Sequence, residues 1–155
     1  MELSGGWTAN LFSQIDDLVL SYTPYLTTQN GVQLWKLVLS ILLKRVESVL
    51  RKSKLSDFGV IKLDGDVRFI TGWVKERLGE DVMPAGFDGV ERLRQINKIV
   101  GIYDIRDLKE IVDSCKESNP NGAFILKKSE VKTWLNLKVW TEDVDVEGAV
   151  EAVDF

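Results

Sequence analysis

Two parts of the sequence carry residue types that could do chemistry, an acidic motif and a single cysteine. In the motif Asp64-Gly65-Asp66 two carboxylates lie one residue apart, and such a pair can hold a divalent cation. The motif also precedes apolar residues at helical spacing, where an aspartate caps the free amides of a first turn. Because no glycine-rich phosphate loop accompanies it, we favour the capping interpretation and predict no metal ion, nucleotide or other cofactor.

Cys115 could act as a nucleophile only if a neighbouring base or cation lowered the pKa of its thiol. The chain contains no histidine, so that neighbour would have to be a lysine such as Lys116. The absence of histidine also removes Ser-His-Asp, Cys-His and histidine–metal sites. A thiol at the edge of a loop is the simpler interpretation, and a small enzyme that uses only carboxylates and lysines stays an alternative.

The composition is that of an ordinary folded protein of about one domain. The chain has 155 residues, of which 45% are hydrophobic and 28% are charged. Its 20 basic and 24 acidic residues give a net charge of −4, which does not favour nucleic acid as a partner. The single cysteine allows no internal disulfide and fits a reducing, cytosolic compartment. No apolar run approaches the ~20 residues that a bilayer requires, and the N-terminus lacks the basic region of a secretion signal.

Apolar residues at a 3.6-residue repeat predict an all-α fold, a helical bundle of about six helices. The first helix follows Leu11 to Tyr22 and stops at Pro24. The second runs over about residues 32–52 and is roughly 30 Å long at ~1.5 Å per residue. Because this helix can cross the whole domain, we expect it to be the central spine of the bundle.

Polar cap formers and loop residues predict the remaining helix boundaries. A linker at residues 53–63 precedes a third helix, which Asp64 caps. A fourth helix ends near Gly101, and Asp104 caps a short fifth helix. The sixth helix begins with Ser129 as its N-cap.

Five basic residues lie near the C-terminal end of the long helix, namely Lys44, Arg45, Arg51, Lys52 and Lys54. Such a cluster can bind phosphate groups or acidic lipids. Cations at this position also stabilise a helix, because they complement the negative end of its dipole. We favour the second interpretation.

The C-terminal segment differs from the rest of the chain in charge. Residues 141–155 contain six acidic residues and no lysine or arginine, which leaves 18 acids against 20 bases in the remainder. Such a tail can bind a partner, but a solvated and partly disordered terminus is the more frequent outcome. We therefore predict an N-terminal helix and flank at 1–24, a helical bundle module at 25–140 and an acidic tail at 141–155.

Several blocks of the sequence are specific enough to indicate a family. They are residues 46–50 (VESVL), 53–64 (SKLSDFGVIKLD) with Arg68, Arg92-Leu93 with Gln95, Ile99-Val100, 107–113 (DLKEIVD), and Leu126 with 129–132 (SEVK). On these blocks the chain, from about Tyr25 to its end, resembles the C-terminal region of subunit 4 of the conserved oligomeric Golgi complex. That complex is a vesicle tether built from helical-rod proteins.

The resemblance implies a non-catalytic role, as a protein-interaction module in retrograde transport of vesicles within the Golgi. It implies that the partners are other subunits of the tethering complex, SNAREs and their regulators, and small GTPases. It also implies a cytoplasmic protein, peripheral on the cytosolic face of Golgi membranes and without a transmembrane segment. An acidic-tailed helical adaptor unrelated to the Golgi stays the alternative.

The resemblance further implies an ion pair between an arginine early in one late helix and a glutamate of the last main helix. In this sequence the two positions are Arg92 and Glu130. A guanidinium can donate to a carboxylate in bidentate fashion, and Glu130 lies where a helix N-terminus favours an anion. We predict a buried, structurally required pair, and two matching surface charges are the alternative.

Candidate partner-binding residues lie at three places in the chain. They are Trp7 in the glycine-flanked N-terminus, Arg51 and Lys52 at the basic end of the long helix, and Lys116 and Asn119 in the predicted loop at 116–122. Aromatic residues are enriched at interfaces, and loops on a rigid scaffold often carry recognition.

Overall fold

The structure is a computed structural model that describes residues 6–79, 88–119 and 122–155. Within these ranges it contains seven α-helices and two short 3-10 turns. The helices are α1 (Trp7–Tyr22), α2 (Thr28–Leu50), α3 (Asp57–Leu78), α4 (Asp88–Val100), α5 (Leu108–Ser118), α6 (Lys128–Leu137) and α7 (Val146–Glu151), and the turns are Thr23–Tyr25 and Ile105–Asp107. The predicted all-α bundle is therefore confirmed, with one helix more than the periodicity indicated.

The long helix predicted at 32–52 is α2, which begins four residues earlier, at Thr28. Its N-cap is Thr27, whose hydroxyl accepts a hydrogen bond from the backbone N–H of Asn30 at 3.2 Å. The helix buries Leu39, Leu43 and Val46 against the bundle. Its opposite face stays exposed, so α2 is long without being enclosed.

The enclosed helix is α4, which packs against α2, α3, α5 and α6. Although α4 has only 13 residues, six of them are buried, namely Val90, Leu93, Gln95, Ile96, Ile99 and Val100. The expectation that the longest helix is the spine is therefore corrected. Burial on several sides, rather than length, determines which helix the others surround.

The third helix also begins earlier than predicted, because residues 57–63 are helical and do not form a linker. Ser56 is the N-cap of α3, and its hydroxyl accepts from the N–H of Gly59 at 3.2 Å. Asp64 lies inside the helix and is not its N-cap. The apolar period is obscured at the start of α3, because Phe58 and Ile61 are apolar but exposed, whereas Leu63 and Val67 are buried.

The prediction that Ser129 is the N-cap of α6 is also wrong, because the helix already includes Lys128. The backbone N–H of Lys127 donates to the carboxylate of Glu130 at 3.0 Å, which places Glu130 over the first turn.

After α6 the chain pairs with the segment between α2 and α3. The N–H of Leu55 donates to Leu137 O and the N–H of Val139 donates to Leu55 O, each at 2.8 Å.

The acidic segment 141–155 differs from the solvated tail that its charge suggests. It contains α7, capped by Asp145, whose carboxylate accepts from the N–H of Gly148 at 2.9 Å. Val146, Val150 and Val153 are buried in the common core. Their spacing of four and three residues makes one apolar stripe, and the acidic residues face outward, so the segment is amphipathic rather than merely charged.

The N-terminal helix α1 packs against α3 and belongs to the same core. Phe12 is fully buried and meets Trp73 edge-on, with ring centroids 4.6 Å apart. Asp16 accepts from Arg77 Nε at 2.9 Å and from Trp73 Nε1 at 3.0 Å. Apolar and charge-assisted contacts therefore join the first helix to the bundle.

Candidate functional site

Four charged side chains from three helices meet where the end of α2 crosses α4 and the start of α6. Glu47 comes from α2 and Arg51 is the C-cap residue of that helix, whereas Arg92 comes from α4 and Glu130 from α6. We call these four residues the ion-pair network. They lie on elements that pack directly on one another, since α4 contacts both α2 and α6.

Arg92 is the centre of the ion-pair network. Its Nε donates to Glu47 Oε2 at 2.9 Å and its Nη2 donates to Glu47 Oε1 at 2.7 Å, which is a bidentate pair. The same guanidinium donates from Nη1 to Glu130 Oε2 at 3.3 Å, and Nη2 also contacts Glu130 Oε1. The structure thus brings Arg92 and Glu130 together, and it adds Glu47 as a second partner of the same guanidinium group.

Arg51 completes the network from the C-terminal end of α2. Its Nη2 donates to Glu47 Oε1 at 2.9 Å and to Glu130 Oε1 at 3.2 Å. Its guanidinium carbon lies 5.1 Å from the centroid of the buried Trp134 ring, within range of a cation–π contact. Two guanidinium groups therefore neutralise two carboxylates.

The network is partly buried. The exposed fraction of the side chain is 15% for Glu47, 21% for Glu130, 23% for Arg92 and 37% for Arg51. An ion pair at this depth is screened less by water than a surface pair, yet it keeps some hydration. Loss of Arg92 would leave two carboxylates facing each other with only the more exposed Arg51 between them.

The pKa values describe what this site can do chemically. Hydrogen bonds from Arg92 lower the pKa of Glu130 to about 2. Burial acts to raise the pKa of Glu47, but hydrogen bonds from Arg92 and Arg51 outweigh it, so this pKa also lies below its usual value. Both carboxylates are ionised near neutral pH and hold no proton that a general acid could donate. The geometry therefore fits a structural clamp.

Of the network residues, Arg92 and Glu130 came from the family resemblance, and Glu47 was missed as their partner. Glu47 lies 45 positions before Arg92, and no local pattern in the sequence connects the two. A weaker signal was present, because Glu47 and Arg51 are spaced i, i+4 on one helix, where opposite charges pair. That spacing assigns Arg51 to the network, although the sequence had suggested it as a partner-binding residue.

The other predicted partner-binding residues lie apart from the network. Trp7 begins α1, but its side chain is outside the described part of the structure. Lys52 is exposed just beyond the end of α2. Lys116 belongs to α5, and its Nζ donates to the backbone oxygen of Asp154 at 2.9 Å.

Asn119 is buried, and its side-chain amide donates to Ala123 O at 2.6 Å. This side chain therefore holds the ends of its loop together, which corrects the expectation that it is exposed to a partner. Residues 120–121 of the predicted loop lie outside the described residues.

The contacts of the acidic motif Asp64-Gly65-Asp66 and the burial of Cys115 both indicate a structural role. Asp64 accepts from Asn97 Nδ2 at 2.8 Å and pairs with Arg68 at 2.7 Å, whereas Asp66 accepts from Thr8 Oγ1 at 3.1 Å. Among residues 6–79, 88–119 and 122–155, no group of three or more cysteine or acidic side chains could hold a metal ion. Cys115 is buried in α5, and burial raises the pKa of its thiol, which disfavours a reactive thiolate.

The described helices and the ion-pair network define an all-α helical-bundle protein. A family model described as "Conserved oligomeric Golgi complex subunit 4, C-terminal" matches residues 1–133. The chain belongs to this family, and the match includes the first 24 residues, which the resemblance in sequence did not cover. None of the described helices combines the length and the hydropathy needed to cross a bilayer.

The chain is also similar to a curated protein, conserved oligomeric Golgi complex subunit 4 from Arabidopsis thaliana. The two are 20% identical over 138 residues, which is 89% of this chain. The matched region is 18% of the plant protein, so the chain spans about a fifth of the length of that relative. No solved structure matches the chain.

We predict that Arg92→Ala lowers the free energy of unfolding by ~2 to 4 kcal/mol, because it leaves two partly buried carboxylates without their shared partner. Urea unfolding followed by circular dichroism measures this loss. The matched control is Arg94→Ala on the same helix, where an exposed guanidinium pairs with Glu91 at 3.2 Å. We expect the control to change stability by ~0.5 kcal/mol or less. A loss of ~0.5 kcal/mol or less for Arg92→Ala as well would contradict a structurally required network.

Because the pKa of Glu130 is lowered in the folded protein, the free energy of unfolding depends on pH. A carboxyl group whose pKa is lower in the folded state stabilises the protein above its usual pKa, and this contribution is lost as the pH falls through the folded value. For Glu130 the window runs from about 4.5 down to about 2. We expect Glu130→Gln to destabilise the protein by ~1 to 3 kcal/mol at pH 7 and by much less at pH 2.5. An equal loss at both pH values would show that ionisation of this carboxyl is not what stabilises the fold.

Proposed function

We propose that the chain is a non-catalytic protein-interaction module of the conserved oligomeric Golgi complex, which acts in retrograde vesicle transport within the Golgi. The observation that carries this proposal is the family match over residues 1–133, which covers most of the chain. Because the chain corresponds to about a fifth of its plant relative, the activity of the whole subunit is part of the proposal.

The form of the molecule supports an interaction role. Its helices share one apolar core, and the charges of the partly buried ion-pair network are neutralised internally by two arginines and two glutamates. An arrangement of this kind presents fixed helix surfaces to other macromolecules. Several apolar side chains on α1 and α2 stay exposed, and exposed apolar patches are typical of protein-binding surfaces; they are Leu18, Tyr22, Leu37, Ile41 and Val49.

The partners we propose are first the other subunits of the tethering complex, and then SNAREs, their regulators and small GTPases. The chain would reach Golgi membranes through these proteins, on the cytosolic face. Trp7, Lys52 and Lys116 remain candidate contact residues. In this proposal Arg92 acts indirectly, because the network keeps α2, α4 and α6 in register and so preserves the surfaces that partners recognise.

The test is affinity capture from cells in which the protein containing this chain carries a tag. We expect the wild type to recover other subunits of the Golgi complex, and Arg92→Trp to recover several-fold less, because it disrupts the junction of the three helices. Arg106→Trp is the matched control, since its guanidinium is exposed and pairs with Asp104 near the surface. Wild-type protein that recovers no subunit of the complex would overturn the proposal. Equal recovery by wild type and Arg92→Trp would contradict the indirect role of the network.

A further inference from the structure

The side of α2 that faces away from the bundle carries a row of apolar side chains. Leu37, Ile41, Arg45 and Val49 are spaced four residues apart, so their side chains lie on one side of the helix. The three apolar members are 60%, 61% and 55% exposed. We call these four residues, together with Lys52 one turn beyond Val49, the α2 face. Its helical part is ~18 Å long at ~1.5 Å per residue, which matches three to four turns of another helix.

The cations of the α2 face belong to the basic cluster at the end of this helix, and they are not engaged by the bundle. Arg51 of the same cluster is part of the ion-pair network, where it contacts Glu47 and Glu130. Arg45 and Lys52, in contrast, are exposed, and neither pairs with a carboxylate of the described residues. The α2 face therefore presents two positive charges that the fold itself does not neutralise.

The carboxylates on this side of the bundle do not offset these two charges. Glu47 is the single acidic residue of α2, and Arg92 and Arg51 bind it. Asp88 at the start of α4 lines a cavity of about 540 Å³ beside α2, but it shares that cavity with two further cations, Lys36 and Lys44. The local excess of positive charge lies in a chain whose net charge is −4.

We propose that the α2 face binds an acidic amphipathic helix of a partner protein. Its apolar side chains would pack on Leu37, Ile41 and Val49, and its carboxylates would pair with Arg45 and Lys52. An amphipathic helix presents apolar residues at three- and four-residue spacing, which matches the row on α2. The unpaired cations favour carboxylates on this occupant, because opposite charges across an interface fix its register and exclude wrong partners.

Two other occupants fit the α2 face less well. A bilayer would bury the charge of Arg45, which lies in the middle of the apolar row, and the aromatic residue of α2, Trp35, is turned inward onto Trp73 with ring centroids 5.5 Å apart. A second copy of the chain would bring the same cations to both sides of a symmetric interface, where they repel each other.

The inference deepens the proposed function and rests on it only in that the chain binds other proteins. It is tested with the purified 155-residue chain and a phage-displayed library of alanine-rich helices that are randomised along one side. We expect the selected helices to combine leucine or isoleucine at three- and four-residue spacing with aspartate or glutamate. Failure to select helices of this composition would overturn the proposal.

Ile41→Ser tests the apolar part of the α2 face. Its matched control is Ile61→Ser on α3, because Ile41 and Ile61 are 61% and 62% exposed. We expect Ile41→Ser to weaken binding of the selected helices about fivefold or more, and the control to bind within about twofold of the wild type. An equal loss in both variants would overturn the proposal.

The double variant Arg45→Glu, Lys52→Glu tests the charges, with Lys62→Glu, Lys109→Glu as the control at exposed positions on α3 and α5. We expect the first variant to bind the selected helices at least about tenfold more weakly and the control to bind within about twofold of the wild type. Helices whose acidic residues are replaced by lysine should restore binding to the first variant. A loss that these helices do not restore would overturn the proposal, and melting curves verify that all variants are folded.

Two measurements on the same chain test the other occupants. We expect little sedimentation with phosphatidylcholine vesicles that contain 30% phosphatidylserine, and vesicle binding that depends on Arg45 and Lys52 would overturn the proposal in favour of a lipid surface. We expect a monomer in sedimentation velocity. A dimer that Ile41→Ser dissociates would overturn the proposal in favour of a second copy.

A helix of the same subunit is the remaining occupant, because the chain corresponds to about a fifth of its plant relative. Ile41→Cys is therefore labelled with a maleimide in the isolated chain and in the protein that contains it, and mass spectrometry measures the rate at this position. We expect rates within about threefold of each other. Strong protection in the longer protein would overturn the proposal. Because the peptide experiments involve no cellular complex, their failure is distinguishable from failure of the capture experiment on the Golgi subunits.

Discussion

The guanidinium group of Arg92 is the interaction on which the junction of three helices depends. It lies between a carboxylate from α2 and a carboxylate from α6, and it donates hydrogen bonds to both. Arg51 neutralises the second negative charge from a more exposed position. Without a cation between them, Glu47 and Glu130 would repel each other at the point where α2 and α6 meet α4. The apolar core gives the bundle most of its stability, and the network fixes how these helices meet.

The pKa values of this arrangement agree with the non-catalytic role that we propose. The carboxylates that come together are held ionised by arginines, whereas acid catalysis requires the opposite shift in pKa. The acidic segment at the C-terminus adds to the scaffold, because its valines join the core and Lys128 Nζ pairs with Glu151 at 2.9 Å. Basic and apolar residues are then left on the outer faces, where another protein can reach them.

Much of the fold could be predicted from the sequence, because apolar period and capping residues are local signals. They gave the all-α class and, within a few residues, the positions of α1, α2 and α4. These signals gave the wrong start for α3, because Asp64 resembles an N-cap although Ser56 is the N-cap. They also missed the helix in the acidic segment, because its charged residues obscured the regular spacing of the buried valines. Arg92 and Glu130 were suggested by a family resemblance. Glu47 could not be assigned to them, because pairing across 45 residues depends on how α2 and α4 pack.

The measurement that tests this account most directly is a thermodynamic cycle on the network. Arg92→Met is made in the wild type and in a background that carries Glu47→Gln and Glu130→Gln, and the free energy of unfolding is measured at pH 7. If Arg92 is required because it neutralises two carboxylates, its replacement will be at least ~1.5 kcal/mol less destabilising in the neutral background. If Arg92→Met is equally destabilising in both backgrounds, then packing of its side chain, and not charge neutralisation, holds the three helices together.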